Sequence, residues 1–323
     1  MANINDFLTG IRRIDETCFE TFAPFYEARS KHYLYPVFYQ SITQMIAAGG
    51  FFYAIHRYGS DKVLAIYKRS SIMGNWSVIL HIAPISITGS RENEVRLIQA
   101  CRRCGISAKL SDEDIKRYKV PLSICTPISG NCEFLYDAGI GYKMQGAQFR
   151  KLRNRVKQIT KRADFHIETG MSADITSLVA KWDSHNHATK EKTERTTQSL
   201  NIKRIAGLKT ERMHILRVYI GESLEIFSVL EKLTEKCWCI VFEMRNYNGV
   251  LKDVTPSIHY YNCKRALSSN RSGQRTLLNK GASLNIAGMH RAKERLRPVH
   301  RQQIYKIAPI NRMNAVELKK IFR

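Results

Sequence analysis

Acidic residues are scarce in this chain. Asp and Glu number 28 against 52 Lys and Arg, a formal charge of +24 over 323 residues, with a pI near 9.8. The excess is larger than solubility requires and calls for an anionic partner. Nucleic acid, whether tRNA or DNA, is the first reading, and an anionic membrane surface or a merely solvated basic surface are the alternatives. Basic residues recur along the whole chain instead of forming a tail, so the binding surface is expected to belong to the fold. Long apolar runs are also lacking. The longest, 45–55 and 77–87, fall short of the ~18 residues that a spanning helix needs. The sequence thus predicts no transmembrane segment and leaves peripheral contact with an anionic membrane open. Met1–Arg12 shows no apolar core beside a basic start, so no signal peptide and a cytoplasmic location are expected. The oligomeric state is not legible.

A matched set of metal-type cysteines is missing. The eight cysteines include one CxxC, Cys101 and Cys104, whereas Cys125 and Cys132 lie seven apart and Cys237 and Cys239 alternate along a strand. A structural zinc site wants a second pair at matching spacing. The cysteines read instead as reduced, small apolar residues. His185 and His187 have no third ligand nearby, and the polar stretch 185–200 reads as a mobile loop. No metal and no bound cofactor are expected.

The stretch around which the chain is organised runs from Glu133 to Arg162. A strand end, 133–136, leads through a Gly-bearing loop into a helix from about Gln148. Phe149, Leu152, Val156 and Ile159 fall on one helical face. The other faces carry Arg150, Lys151, Arg153, Asn154, Arg155, Lys157, Lys161 and Arg162. They read as a nucleic-acid contact or as a solvated face.

On either side stand two αβ halves. Residues 5–48 read as helical, with many aromatics between Phe19 and Tyr39 that pack on a sheet, stack on bases or line a pocket. Strands follow at 50–57, 62–68 and 76–82, the first two joined as a hairpin. Helices follow at 91–104 and 110–118, the second capped by Ser111 and Asp114, before the strand 133–136. The second half gives a strand at 164–168, a helix from Ser172 to Trp182 and a helix over 202–213. Strands at 214–220, 224–230 and 236–244, a helix from Pro256 to Ser268, a strand at 282–286, a helix over 288–296 and a strand at 304–307 complete it. The fold class is α+β. The expected domains are 1–147, a connecting helix 148–163, and 164–323 with the active cleft.

This order is that of an N-acyltransferase-like fold, which binds an activated acyl donor where two strands splay. CoA-dependent versions present a Gly-rich turn at a helix N-terminus to the pyrophosphate. No segment fits that turn; Gln145–Ala147 and Asn270–Gly273 come nearest. An acyl-CoA donor is therefore not supported.

The segment EFLYDAGIGYKMQGAQFRKLRNRVKQI resembles the junction between the two halves of the DUF2156 family, which includes the C-terminal catalytic domain of phosphatidylglycerol lysyltransferases. The matching positions are Tyr136, Asp137, Gly146, Phe149, Arg150, Lys151, Arg153 and Asn154. A second match, LNKGASLNIAGMHRAKERLRPV, supplies Asn279, Ile286, Gly288, Met289, Arg291, Ala292, Lys293 and Pro298. The resemblance covers roughly residues 40–308. It implies two tandem GNAT (N-acyltransferase)-like domains with mixed, mostly antiparallel sheets, related to the Fem-type aminoacyl transferases. It also implies transfer from aminoacyl-tRNA without a metal or a covalent intermediate.

One departure stands out. Where the family has acids after the Asn, this chain has Lys280, Gly281, Ala282 and Ser283. That argues against lysyl or arginyl transfer. A neutral aminoacyl group, another acyl donor or loss of activity remain. The acceptor is read as polar or as nucleic acid, a DNA base included. The alternatives are a non-catalytic nucleic-acid-binding protein on the same fold and a CoA-dependent N-acetyltransferase.

The candidate site residues follow from this reading. Asp253 is a base or a helix cap. His259 and Tyr260 either donate to an oxyanion or relay a proton, or are structural. Glu243 is an acid in the cleft or a strand-face charge. Asn279, Lys293, Tyr136 and Asp137 are substrate-binding by family position. Arg150, Lys151, Arg153, Asn154, Arg155 and Lys157 are the nucleic-acid set.

Overall fold

The structure is a computed structural model that describes residues 10–35, 37–72, 75–187, 198–251, 253–270 and 273–311. The chain divides into two compact units, the first made of residues 1–45, 49–133 and 302–323, the second of 46–48 and 134–301. In chain order the elements are β1 (Arg12–Arg13), α1 (Cys18–Ser30), α2 (Ile42–Ala48), β2 (Phe51–Tyr58), β3 (Asp61–Ile72), β4 (Asn75–Leu80), β5 (Ile85–Ser86), α3 (Arg91–Arg103), β6 (Ser107–Ser111), α4 (Asp112–Tyr118) and β7 (Cys125–Asp137). Then come α5 (Ala138–Lys143), α6 (Arg150–Thr160), β8 (Phe165–Thr169), α7 (Ala173–His187), α8 (Gln198–Ala206), β9 (Met213–Ile220), β10 (Ser223–Thr234), β11 (Cys237–Arg245), α9 (Thr255–Ser268), β12 (Leu277–Ala282), α10 (Ala287–Arg295) and β13 (His300–Ile307).

The sheet of the first unit runs β1-β2-β3-β4-β6-β13, with β5 paired to β3. Only β4 and β6 are parallel among these neighbours. The sheet of the second unit runs β12-β11-β10-β9-β8, and there β11 and β12 are the parallel pair. Each unit therefore repeats one plan: an antiparallel meander, a helix, and a parallel strand beside the last meander strand. The hairpins close through two-residue turns, Tyr58 facing Asp61 and Ile220 facing Ser223. Gly59 and Gly221 open these turns in the left-handed region at φ 61° and 56°, which such short hairpins require.

Helix starts follow local chemistry. The Ser90 hydroxyl accepts from the Asn93 N–H at the start of α3. Ser111 and Asp114 cap α4 reciprocally, as the sequence predicts. On α6, Leu152, Val156 and Ile159 are buried, each contributing about 1.5–3 kcal/mol of apolar burial. The core that Leu152 and Val156 join includes Phe134, Tyr136, Leu230 and Trp238.

Four local expectations are corrected. The loop after Asp137 is largely α5, begun by the Asp137 side chain accepting from Ile140 N–H at 3.0 Å. Leu110 and Ser111, expected to begin the helix over 110–118, instead end strand β6, and the helix starts at Asp112. The strand expected at 282–286 is displaced to 277–282, because Leu284 and Asn285 take left-handed backbone at φ 52° and 60°, which ends a strand. Of the stretch 185–200, α7 extends through His187 and α8 begins at Gln198; the rest of it lies outside the described residues.

Candidate functional site

In the second unit the ladder between β11 and β12 covers Cys237↔Leu277, Trp238↔Leu278 and Cys239↔Asn279. β11 continues to Arg245 and β12 to Ala282, so the two strands part beyond Asn279. Lys280 is the first residue past the ladder. Its Nζ reaches the Glu243 carboxylate on the other strand at 2.6 Å. The Lys280 side chain is 4% exposed and that of Glu243 19%. A buried charge of either sign without its partner is strongly unfavourable, so each holds the other in place.

The β12 side of the opening is fixed by its own main chain. Asn279 Oδ1 accepts from the Gly281 N–H at 2.8 Å, and Gly281 has φ 63°, a conformation that favours glycine. From α10, Lys293 Nζ donates to the carbonyls of Lys280, Gly281 and Ala282 at 2.6, 2.9 and 2.8 Å. An ammonium has three donors, and here one backbone turn takes all three. The Lys293 carbonyl in turn accepts from the Tyr136 hydroxyl at 2.9 Å. Burial, with Glu243 and Glu294 adding to it, pushes the Tyr136 phenol up, so it stays protonated and able to donate. The structure thus gathers Glu243, Asn279, Lys293 and Tyr136 around the end of β12.

His259 lies behind this group. It is 1% exposed, with Tyr136 edge-on at 5.0 Å and Cys263 Sγ 3.7 Å from Nε2. Burial first, then the Lys280 ammonium, holds His259 well below the usual imidazole range, and burial pushes the Cys263 thiol up. Both are therefore neutral. A Cβ at Gly141 would stand 2.5 Å from Cys263 Sγ and 3.0 Å from His259 Nε2, so glycine permits the close crossing of α5 and α9. Tyr260, next on α9, is half-buried and stacks on Tyr142 at 5.0 Å; burial pushes its phenol up to about 12.

The remaining candidates are engaged elsewhere in the unit. Asp137 caps α5 and pairs with Arg275 Nε at 2.7 Å. Asp253 accepts from Arg295 at 2.6 Å. It does not cap α9, whose N-cap is Val254. Arg155 Nε donates to the Asp253 carbonyl at 3.2 Å, and Arg153 donates to the Met144 carbonyl at 2.6 Å. Arg150, Lys151, Asn154 and Lys157 are the exposed members of the basic set.

One acid escaped sequence reasoning. The turn between β11 and α9 leads to a helix N-terminus, the kind of place where backbone N–H groups can meet a pyrophosphate. Here Glu225, fully buried on β10, accepts from the N–H groups of Val250 and Leu251 at 3.0 and 2.9 Å. The first unit does the same before α3. There Asp61 accepts from the Ser86 hydroxyl and the Thr88 N–H at 2.8 and 3.3 Å. Burial works against the Asp61 charge, yet the donors Asn93, Ser86 and Thr88 together hold its carboxyl below the usual carboxylate range. In both units the chain's own carboxylate occupies the turn. The only sequence signal was an acid inside an apolar strand, Leu224–Leu230.

No protein-family model matches the chain, and no curated protein matches it. Solved structures do. A conserved protein of unknown function from Bacteroides thetaiotaomicron VPI-5482 gives a TM-score of 0.69 at 12% identity, covering 93% of this chain and 99% of that one. The C-terminal domain (DUF2156) of a proposed lysylphosphatidylglycerol synthetase from Agrobacterium fabrum gives 0.55 at 15% identity, over 91% and 95% of the two chains. A tandem GNAT protein from the clavulanic acid biosynthesis pathway gives 0.52 at 8% identity, over 93% and 98%. At such identities these likenesses establish the fold, and with the repeated plan described above they make this chain a pair of tandem GNAT-like units of mixed α+β build.

Proposed function

We propose that this chain is an acyltransferase of the aminoacyl-transfer type, related to the DUF2156 family, and that it works at the opening between β11 and β12. The donor is an aminoacyl-tRNA-like ester and the acceptor a polar or nucleic-acid group. In the reaction the acceptor nucleophile attacks the ester carbonyl. The bond to the carrier's ribose oxygen breaks, and that oxygen leaves with a proton. Because the ester is already activated, the protein supplies position and polar stabilisation. Asn279, Lys293 and Tyr136 act as positioning residues for the β12 edge, and the exposed Arg150, Lys151, Asn154 and Lys157 offer phosphate contacts.

The observation that carries the reading is the Lys280–Glu243 pair across the opening. Glu243 is the acid at hand to hold a cationic amino group, and Lys280 already neutralises it. A neutral aminoacyl or acyl group suits such a site better than lysyl or arginyl. The carboxylates of Glu225 and Asp61 count against an acyl-CoA donor, since a pyrophosphate would meet a like charge at either turn. The same pair favours one rival, a nucleic-acid-binding protein without transfer activity, because it closes the site with the chain's own side chains.

Mass spectrometry of nucleosides and lipids from cells with and without the protein separates the two. The proposal expects an added mass of a neutral aminoacyl or acyl group that disappears in Glu243→Gln/Lys280→Met cells. Identical nucleoside and lipid profiles would favour the silent binder.

A further inference from the structure

The parallel pair of the first unit ends differently from that of the second. β4 and β6 bond over Ile79↔Ser107 and Leu80↔Ala108, and the next residues are His81 and Lys109. In the second unit the residue past the ladder, Lys280, meets an acid four positions beyond Cys239. Four positions beyond Leu80 stands Pro84. Lys109 has no such partner.

Around the end of this ladder basic and aromatic groups converge. His81 is 1% exposed, and neither ring nitrogen has a hydrogen-bond partner among the described residues. Tyr39 and Phe51 meet the His81 ring edge-on at 4.8 and 4.6 Å. Lys109 Nζ lies 4.4 Å from the Tyr39 ring centroid, and Lys68 Nζ 5.4 Å from that of Phe51. Neither lysine is ion-paired among the described residues. Lys306 faces Lys109 across the β6–β13 ladder. The acid nearby is Glu133, which is buried and accepts from the Phe38 N–H at 2.9 Å.

The charges do not balance. Lys68 and Lys109, both part-buried, with the solvent-exposed Lys306 bring three positive charges and Glu133 one negative, which leaves two positive. Burial first, then Lys109 and Lys68, keeps His81 well below the usual imidazole range. It is therefore neutral, with one N–H to give. Burial and the Lys68 charge lower Lys109 to about 8, against the opposing pull of Glu133. A lone carboxylate would leave one charge uncompensated, whereas a phosphate dianion compensates both and accepts from lysine and imidazole alike.

We infer that the first unit holds a phosphomonoester dianion at the end of the β4–β6 ladder, gripped by Lys68 and Lys109 with His81 as a neutral donor. This site is independent of the transfer site in the second unit. It gives the aromatic N-terminal stretch a role through Tyr39. Occupancy draws a proton onto Lys109, so affinity declines above about pH 8.

The test is calorimetric titration at constant ionic strength with inorganic phosphate, glycerol 3-phosphate, dimethyl phosphate and acetate. Phosphate and glycerol 3-phosphate are expected to bind saturably. Dimethyl phosphate, which stands for the diester of a nucleic acid or lipid, and acetate are expected to bind at least tenfold more weakly. Lys109→Met should lose at least tenfold for phosphate. Absence of saturable phosphate binding, equal binding of the diester, or unchanged affinity in Lys109→Met each overturns the inference. Amine acetylation of the wild-type protein, read by peptide mass spectrometry, needs no variant. Phosphate should protect Lys68 and Lys109 selectively, and uniform or absent protection contradicts the site.

Discussion

Replacing Glu243 with Gln removes the carboxylate from the 2.6 Å contact and leaves the Lys280 ammonium with a side chain 4% exposed. Breaking a fully buried pair by deleting one partner costs about 3–5 kcal/mol. Glu243 itself is 19% exposed, so water reaches the site in part, and a loss of about 2–3 kcal/mol is expected. The double change Glu243→Gln/Lys280→Met removes both charges and should return to within about 1 kcal/mol of the parent, because an apolar replacement of a buried pair is often near neutral. Lys280→Met alone, which leaves the partly exposed Glu243 unpaired, should cost about 1 kcal/mol, and the cycle then gives a coupling of about 2–3 kcal/mol. Two compact units need not unfold together, so the assay is urea-dependent hydrogen exchange read on peptides from 237–245 and 277–282. Additive losses, with coupling below about 0.5 kcal/mol, would refute the pair as the element that closes the opening.

Gly141→Ala should destabilise the second unit by about 1–3 kcal/mol through overpacking, since its Cβ would fall 2.5 Å from Cys263 Sγ; hydrogen exchange on α5 and α9 reads the effect, and an unchanged midpoint would deny the tight crossing. His259 is held neutral in the fold, with its value depressed well below 6.5. Its contribution is thus complete above pH 6.5 and is lost as pH falls below that, by up to about 1.4 kcal/mol per pH unit. In His259→Gln the unfolding free energy should fall less steeply over that acid window, and an identical pH profile would show that His259 titrates freely in the fold. Arg150→Ala with Lys151→Ala should weaken tRNA binding and flatten the slope of log affinity against log salt by roughly 1–2; an unaltered slope in filter binding would remove α6 from the nucleic-acid surface.

What was legible in the sequence was what obeys a short period. The buried Leu152, Val156 and Ile159 follow from helical spacing, the hairpins from Gly59 and Gly221, and the α4 cap from Ser111 and Asp114. The alternating order of strands and helices was enough for the tandem plan. Elements governed by left-handed residues or by distant contacts were not legible. Leu284 carries a side chain that gives no hint of positive φ, and Asn285, a residue type that tolerates it, did not by itself mark the break, so the strand at β12 was displaced. Gly139 and Gly141 resemble a loop, yet Gly141 sits in a helix because Cys263 and His259 lie against it. At the candidate site, Lys280 was visible as a departure from the family pattern. Its partner Glu243 comes from 37 residues away, brought by the parallel register of β11 and β12. Glu225, which fills the turn before α9, was marked in the sequence only as an acid inside an apolar strand.

Transfer of a neutral group from a charged tRNA at the β11–β12 opening is the reaction to be tested. The direct measurement is the loss of ester from tRNA charged in separate reactions with isotopically labelled neutral amino acids and with lysine, in the presence of the purified chain and cell extract as acceptor source. At least one neutral aminoacyl-tRNA should be consumed faster than in the protein-free control, lysyl-tRNA should not, and Asn279→Ala should abolish the difference. Consumption of lysyl-tRNA above all others, or of none while acetyl-CoA is turned over, would contradict that transfer.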